Sequence, residues 1–134
     1  MGQEFLVIEQ IDAGADFLRQ FNDYAPISVA CWVKPADSDN LFLYIASDEI
    51  DDGNIGVAYG EVLRRLHASG SQWLDPFQIK LVNSSHPIAR DAIAVRDRRF
   101  VPQIPTRYNA SSLGGLAIDG AYIYPSLPAM KSTP

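Results

Sequence analysis

The stretch from Ile27 to Leu66 changes its apolar period once, from two to about 3.6, and this change constrains the fold more than any other feature. Ile27, Val29, Cys31 and Val33 alternate with Ser28, Ala30 and Trp32, the pattern of a strand. Pro35-Ala36-Asp37-Ser38-Asp39-Asn40 follows, a run of residues that fix or bond their own backbone in turns. Leu41 to Ser47 returns as a second strand. Both faces of this strand are largely apolar, which predicts a sheet covered by helices on one side and at least partly covered on the other. From Ile55 the spacing is helical: Ile55, Ala58, Tyr59, Val62 and Leu66 form one stripe, and Gly70 ends it. Glu61 is spaced to pair with Arg64 or Arg65 on the solvent face.

Upstream, Phe5, Ile8 and Ile11 fit the front of a long helix as well as a short strand. Gly14 weakens a continuous helix. The preferred reading is a strand over residues 4–9 and a helix from about Asp12, as its cap, to Asp23, with Ala15, Leu18 and Phe21 inward. Pro26 stops it. Downstream, Phe77 to Val82 reads as a strand. Ser84-Ser85-His86-Pro87 opens a helix, with Ser85 as cap and Pro87 near the first helical position, and Ile88, Ala92 and Val95 facing inward. Thr106 to Ala110 is a short strand, Ser111 to Gly115 a loop, and Ala121 to Tyr124 the last strand. The predicted class is α+β: a mainly antiparallel sheet with about three helices packed on it, one domain over residues 1–124. Residues 125–134 hold three prolines and no periodicity, and are expected to form a mobile tail.

A chain of 134 residues fits one domain and can bury a core without disulfide or metal support. Its one cysteine, Cys31, cannot form an internal disulfide, which points to a reducing compartment. No apolar run approaches the length of a membrane span, and Phe5-Leu6-Val7-Ile8 is too short for a signal-peptide core. The expectation is a cytoplasmic protein without a membrane partner. Net charge is −5, which disfavours nucleic acid as a partner, although Arg90, Arg96, Arg98 and Arg99 cluster in sequence.

The acidic run Asp48-Glu49-Ile50-Asp51-Asp52-Gly53 resembles half of a calcium loop. Ile50 at its third position and Tyr59 at its twelfth break the match. The same carboxylates suit a strand end and a helix start, where negative charge is favourable. His67 and His86 share no metal-ligand spacing with other donors. His86 can act as a general base only if folding brings it a nucleophile. Cys31, mid-strand among apolar residues, reads as a small buried hydrophobe. Arg107 can grip a carboxylate or phosphate through two bonds, with Tyr108 stacked beside it. Gly114-Gly115 lacks the features of a phosphate loop and equally suits a plain turn between edge strands. The candidate ligand-binding residues are therefore Arg107, Tyr108, His86 and Asp48, with no catalytic residue, metal or cofactor assigned. Gly56 and Gly60, one helical turn apart, suggest a close neighbour on that face: a strand, a second subunit or a ligand. The leading expectation is a non-enzymatic binding or interaction domain, as a homodimer or with a protein partner. The alternative is a small enzyme or anionic-ligand-binding protein using Arg107 and Tyr108.

Several phrases occur in a characteristic order: Asp12-Ala13-Gly14-Ala15 before Phe17-Leu18, Ala30-Cys31-Trp32-Val33-Lys34, Leu43-Tyr44-Ile45-Ala46-Ser47, Ala58-Tyr59-Gly60-Glu61-Val62, Pro105-Thr106-Arg107-Tyr108, Leu113-Gly114-Gly115 and Tyr122-Ile123-Tyr124-Pro125. In these blocks the chain resembles a family of short, uncharacterised bacterial proteins. The resemblance covers nearly everything except the tail. It implies no activity, cofactor or catalytic residue.

Overall fold

The computed structural model describes residues 6–98, 105–108 and 111–126. Its elements are helix α1 (Ile8–Phe21), strands β1 (Val29–Pro35) and β2 (Phe42–Ser47), helix α2 (Ile55–Ser69), a 3-10 turn (Pro76–Gln78), strand β3 (Ile79–Asn83), helix α3 (Pro87–Asp97), and strands β4 (Thr106–Tyr108), β5 (Ser112–Leu113) and β6 (Leu116–Ile123). The sheet runs β3-β2-β1-β6-β4, with β5 folded back on β6. β1 lies antiparallel to β2 and to β6, with Trp32 opposite Leu43 on one side and Tyr122 on the other. β2 and β3 are parallel, Ile45 opposite Leu81, since α2 carries the chain back across the sheet between them. The α+β class, the mainly antiparallel sheet and the helices packed on it are as the residue pattern predicts.

Apolar residues on both strand faces have partners on both. Ala30, Trp32, Leu43, Ile45, Leu81 and Tyr122 pack against Phe17, Leu18 and Phe21 of α1 and Ala58, Val62 and Leu66 of α2. Val29, Cys31, Val33, Ala46 and Ile123 pack on the other face against Ile88, Ala89, Ala92 and Val95 of α3. The expected helical stripe on α2 is thus its buried face.

Three expectations need correction. Helix α1 begins at Ile8, so the described part of the 4–9 segment is no strand: Leu6 is buried and Val7 precedes the helix. Residues 4 and 5 lie outside the described residues. Gly14, which argued against a continuous helix, is buried within it, and a Cβ there would stand 2.3 Å from the Tyr124 hydroxyl. That hydroxyl accepts from Trp32 Nε1 at 2.9 Å and donates to the Ile11 carbonyl at 2.7 Å. A tertiary contact therefore outweighs the helix propensity of glycine.

Secondly, Phe77 is not a strand residue. The Asp75 carboxylate accepts from Phe77 N–H at 2.9 Å, and the Gln78 side-chain oxygen accepts from Asp75 N–H at 3.1 Å. With Pro76 between them, this reciprocal capping makes a 3-10 turn ahead of β3. Thirdly, the cap of α3 is His86 rather than Ser85: its Nδ1 accepts from Ile88 N–H at 3.1 Å. The Gly114-Gly115 segment is the turn between β5 and β6, with φ of +59° and +84°. Its Gly114 N–H donates to Asp91 on α3 at 2.7 Å. Of the expected tail, Pro125 and Ser126 are irregular and residues 127–134 lie outside the described residues. Among the described residues, no helix is long and apolar enough to cross a membrane.

Candidate functional site

Arg107 and Tyr108 sit on β4, at one edge of the sheet. They are consecutive in a strand, so their side chains take opposite faces. The Arg107 guanidinium lies 5.1 Å from the centre of the Tyr122 ring, on the α1–α2 side. Tyr108 packs with the cluster under α3. Asp48 follows β2, and His86 lies beside Tyr44 of β2 with ring centres 6.2 Å apart. β6 and β1 separate β4 from β2, three strand spacings or about 14 Å. The fold does not gather the four residues into one pocket.

Of the four, His86 borders a recognisable place, and Asp48 does not line it. The carboxyl ends of a parallel strand pair are where open α/β sheets hold ligands. Beyond β2 and β3 lies a cleft of about 280 Å³ lined by Asp51, Asp52, Ile55, Asn83, Ser85 and His86. Its polar groups are largely committed to the local backbone. Asp51 accepts from Gly53 N–H at 2.8 Å and Asn54 N–H at 3.0 Å. Asn54 returns the bond by accepting from Asp51 N–H at 2.9 Å. Asn83 donates to the Ile50 carbonyl at 2.7 Å, tying the loop to β3, while Ile50 itself is buried. The acidic run therefore builds the turn ahead of α2, in line with its structural reading. Because His86 Nδ1 accepts the helix-capping bond, only Nε2 remains to face a ligand. No group of three or more His, Cys, Asp or Glu side chains able to hold a metal occurs among the described residues.

Cys31 is fully buried, and burial pushes its thiol up to about 12, which removes the thiolate at neutral pH. Burial likewise raises Tyr44 and Tyr124. Of the arginine cluster, Arg96 is structural: it donates to the Ser28 carbonyl at 2.9 Å and pairs with Asp97 at 3.0 Å. Arg90 and Arg98 are exposed, and Arg99 lies outside the described residues.

A second, apolar feature lies at the other end of β3. Phe77, at the head of the 3-10 turn, is 86% exposed, and Leu63 on α2 is 54% exposed. Between them runs a cleft of about 400 Å³ lined by Tyr59, Val62, Leu63, Pro76, Phe77 and Lys80. A second, wider cleft of about 780 Å³ shares Leu63 and Pro76 and continues past Leu66, Leu74, Arg64 and His67. Together they form one trough between α2 and the segment leading into β3. Trp73, 40% exposed, stands in that segment. Single exposed apolar residues are ordinary, whereas adjoining ones along a concave surface mark interaction sites.

The sequence reading passed over this trough. Leu63 falls outside the helical stripe, and an apolar residue there was the available signal. Asp75-Pro76-Phe77-Gln78 carries the capping pattern that lifts Phe77 out of the strand. Of the neighbours suggested for Gly56 and Gly60, a strand of the same chain is not found: a Cβ at either would meet nothing within 4 Å, so no element among the described residues packs there. Comparisons with protein-family models, with curated proteins and with solved structures gave no match.

Proposed function

We propose that this chain is a non-enzymatic interaction domain that binds a protein partner in the trough between α2 and the 3-10 turn. The observation that carries this reading is Phe77, held 86% exposed by a rigid capped turn at the rim of an apolar cleft. Leaving a phenyl ring in water is unfavourable, and covering it contributes on the order of 2 kcal/mol. Fixing it on a turn also limits the entropy lost on binding. The enzyme alternative gains less support: Arg107 and Tyr108 lie on opposite faces of β4, and the Cys31 thiol is protonated at neutral pH.

The test is selection of a random displayed-peptide library on the full chain, with Phe77→Ser as counter-target. Binders that lose affinity on Phe77→Ser support the reading. Phe77→Ser touches no core contact, so circular dichroism should show an unchanged fold. Absence of any Phe77-dependent binder overturns it. A homodimer is the second reading, favoured by the open glycine face of α2 beside Val57, which is 69% exposed. A closed dimer would use that patch twice. Light scattering across a concentration series decides it, a strict monomer counting against.

A further inference from the structure

At β3 the chain closes the edge of its own sheet. β3 is an outer strand, with β2 on one side and, among the described residues, no strand on the other. An outer strand shows a row of backbone groups that another chain can pair with. Leu81 N–H points away from β2, because it donates to the Tyr59 hydroxyl on α2 at 2.9 Å. The N–H and C=O of one strand residue point the same way and alternate along the strand. Ile79, Leu81 and Asn83 therefore form the outward set, while the backbone of Lys80 and Val82 turns to β2. Each outward residue is bonded within the chain. Ile79 N–H donates to the Pro76 carbonyl of the 3-10 turn, and the Asn83 carbonyl accepts from His86 N–H at 3.0 Å.

The bonds at the two ends of the strand come from local turns. The bond at its middle comes from a distant side chain. Tyr59 belongs to the inward stripe of α2, and it packs against the core cluster that holds Ile79 and Leu81. Its hydroxyl occupies the place that the carbonyl of an added strand would take. Without the hydroxyl, Leu81 N–H loses its acceptor, and an unpaired backbone donor at a strand edge invites another carbonyl. A second copy can supply one. In an antiparallel pairing centred on Leu81, each Leu81 N–H meets the Leu81 carbonyl of the other copy. Lys80 then stands opposite Val82, so the one charge on the strand faces no like charge directly.

We infer that Tyr59 is a latch on the β3 edge: its hydroxyl holds Leu81 N–H and so keeps this sheet from joining the sheet of a second copy. The latch concerns the backbone edge of β3, and it stands whether or not the apolar clefts beside it bind a partner.

The experiment compares the full chain with Tyr59→Phe, which removes only the hydroxyl. Amide hydrogen exchange is followed by NMR across a protein concentration series, with light scattering alongside. Phenylalanine keeps the ring in the core, so the variant should keep the native circular dichroism spectrum. In the native chain, exchange at Leu81 should be slow and independent of concentration. In dilute Tyr59→Phe it should quicken about tenfold, as the loss of one hydrogen bond implies. At higher concentration it should slow again while light scattering reports a dimer. Tyr59→Leu, which also clears the ring from the edge, should dimerise at lower concentration. A Tyr59→Phe chain that stays monomeric throughout, or that leaves Leu81 exchange unchanged, overturns the inference. A native dimer in which Leu81 exchange slows with concentration overturns it too, because the edge would then be open with the hydroxyl in place.

Discussion

Helices α1 and α2 each carry glycine where a helix is weakened by it, and the two helices use it in opposite ways. Gly14 in α1 is buried, with the Tyr124 hydroxyl where its Cβ would stand, 2.3 Å away. Gly56 and Gly60 in α2 face open space. In α1 the missing side chain makes room for a hydrogen-bonded relay from Trp32 through Tyr124 to the Ile11 carbonyl. In α2 the missing side chains leave a bare helix surface near the apolar trough. The same residue type thus marks a packed helix position in α1 and uncovered ones in α2.

The largest expected effect comes from breaking the first half of this contrast. Gly14→Ala should destabilise the fold by about 2–3 kcal/mol, because a methyl group must displace the Tyr124 hydroxyl and with it the Trp32 bond. Urea unfolding measures it. A loss of only a few tenths would mean that α1 slides freely over Tyr124 and that the contact is soft. Tyr124→Phe comes next, at about 1–2 kcal/mol, since the buried Trp32 N–H and the Ile11 carbonyl lose their shared partner. In the Gly14→Ala background Tyr124→Phe should cost much less, and a double-mutant cycle reads the coupling directly.

Much of this architecture is legible in the residues, and the reason is periodicity. Alternation over 29–33 and 42–47 and the stripe Ile55, Ala58, Val62, Leu66 reflect burial along one element, which local text records well. The start of α1 was not legible because its decisive contact joins Gly14 to Tyr124, and nothing near Gly14 in sequence announces it. The α3 cap was assigned one residue early because serine caps more often than histidine, while His86 Nδ1 can fill the same role. The acidic run, expected at a strand end and helix start with one Asp as cap, lies between β2 and α2, but Asp51 closes the turn ahead of α2 rather than capping the helix. The trough escaped notice because it is assembled from Leu63, Phe77 and Lys80, each unremarkable alone and joined only when α2 packs beside β3.

Cys31 gives a pH test of the packed side of the contrast. Its thiol is raised to about 12 by burial, so the folded chain stays protonated where the unfolded chain ionises. A raised value means stability is fully present below the unfolded thiol's value and is lost as pH rises toward the folded one. Alkylation of the native chain by iodoacetamide at mildly alkaline pH should therefore track global unfolding. Rapid labelling without unfolding would show that the core beneath α3 opens locally. Cys31→Ser should flatten the alkaline fall in stability.

The second half of the contrast responds with opposite sign and smaller size. Gly56→Ala and Gly60→Ala should each stabilise the chain by about 0.5–1 kcal/mol, since nothing stands in the way of the methyl group and the unfolded chain loses freedom. If the open face is used between two copies, the gain should shrink as protein concentration rises.

The smallest effect lies where the two helices are stitched together. Arg65 of α2 donates both to Glu61 at 2.9 Å and to the Gln20 carbonyl of α1 at 2.8 Å. Bonds from Arg64, and then from Arg65, hold the Glu61 carboxyl below the usual carboxylate range. A lowered value contributes stability that is present above the unfolded carboxylate's value and disappears as pH falls through the folded one. Glu61→Gln should therefore lower the urea midpoint slightly at neutral pH, and native and variant curves should converge in acid. The pair is exposed enough that moderate salt should narrow the gap as well. A gap that persists in acid would mean that Glu61 acts by more than its charge, through the way it orients Arg65. Loss of the Arg65–Gln20 contact along with the Glu61 charge would then be the cause, and the bare surface of α2 would prove to depend on α1 for its position.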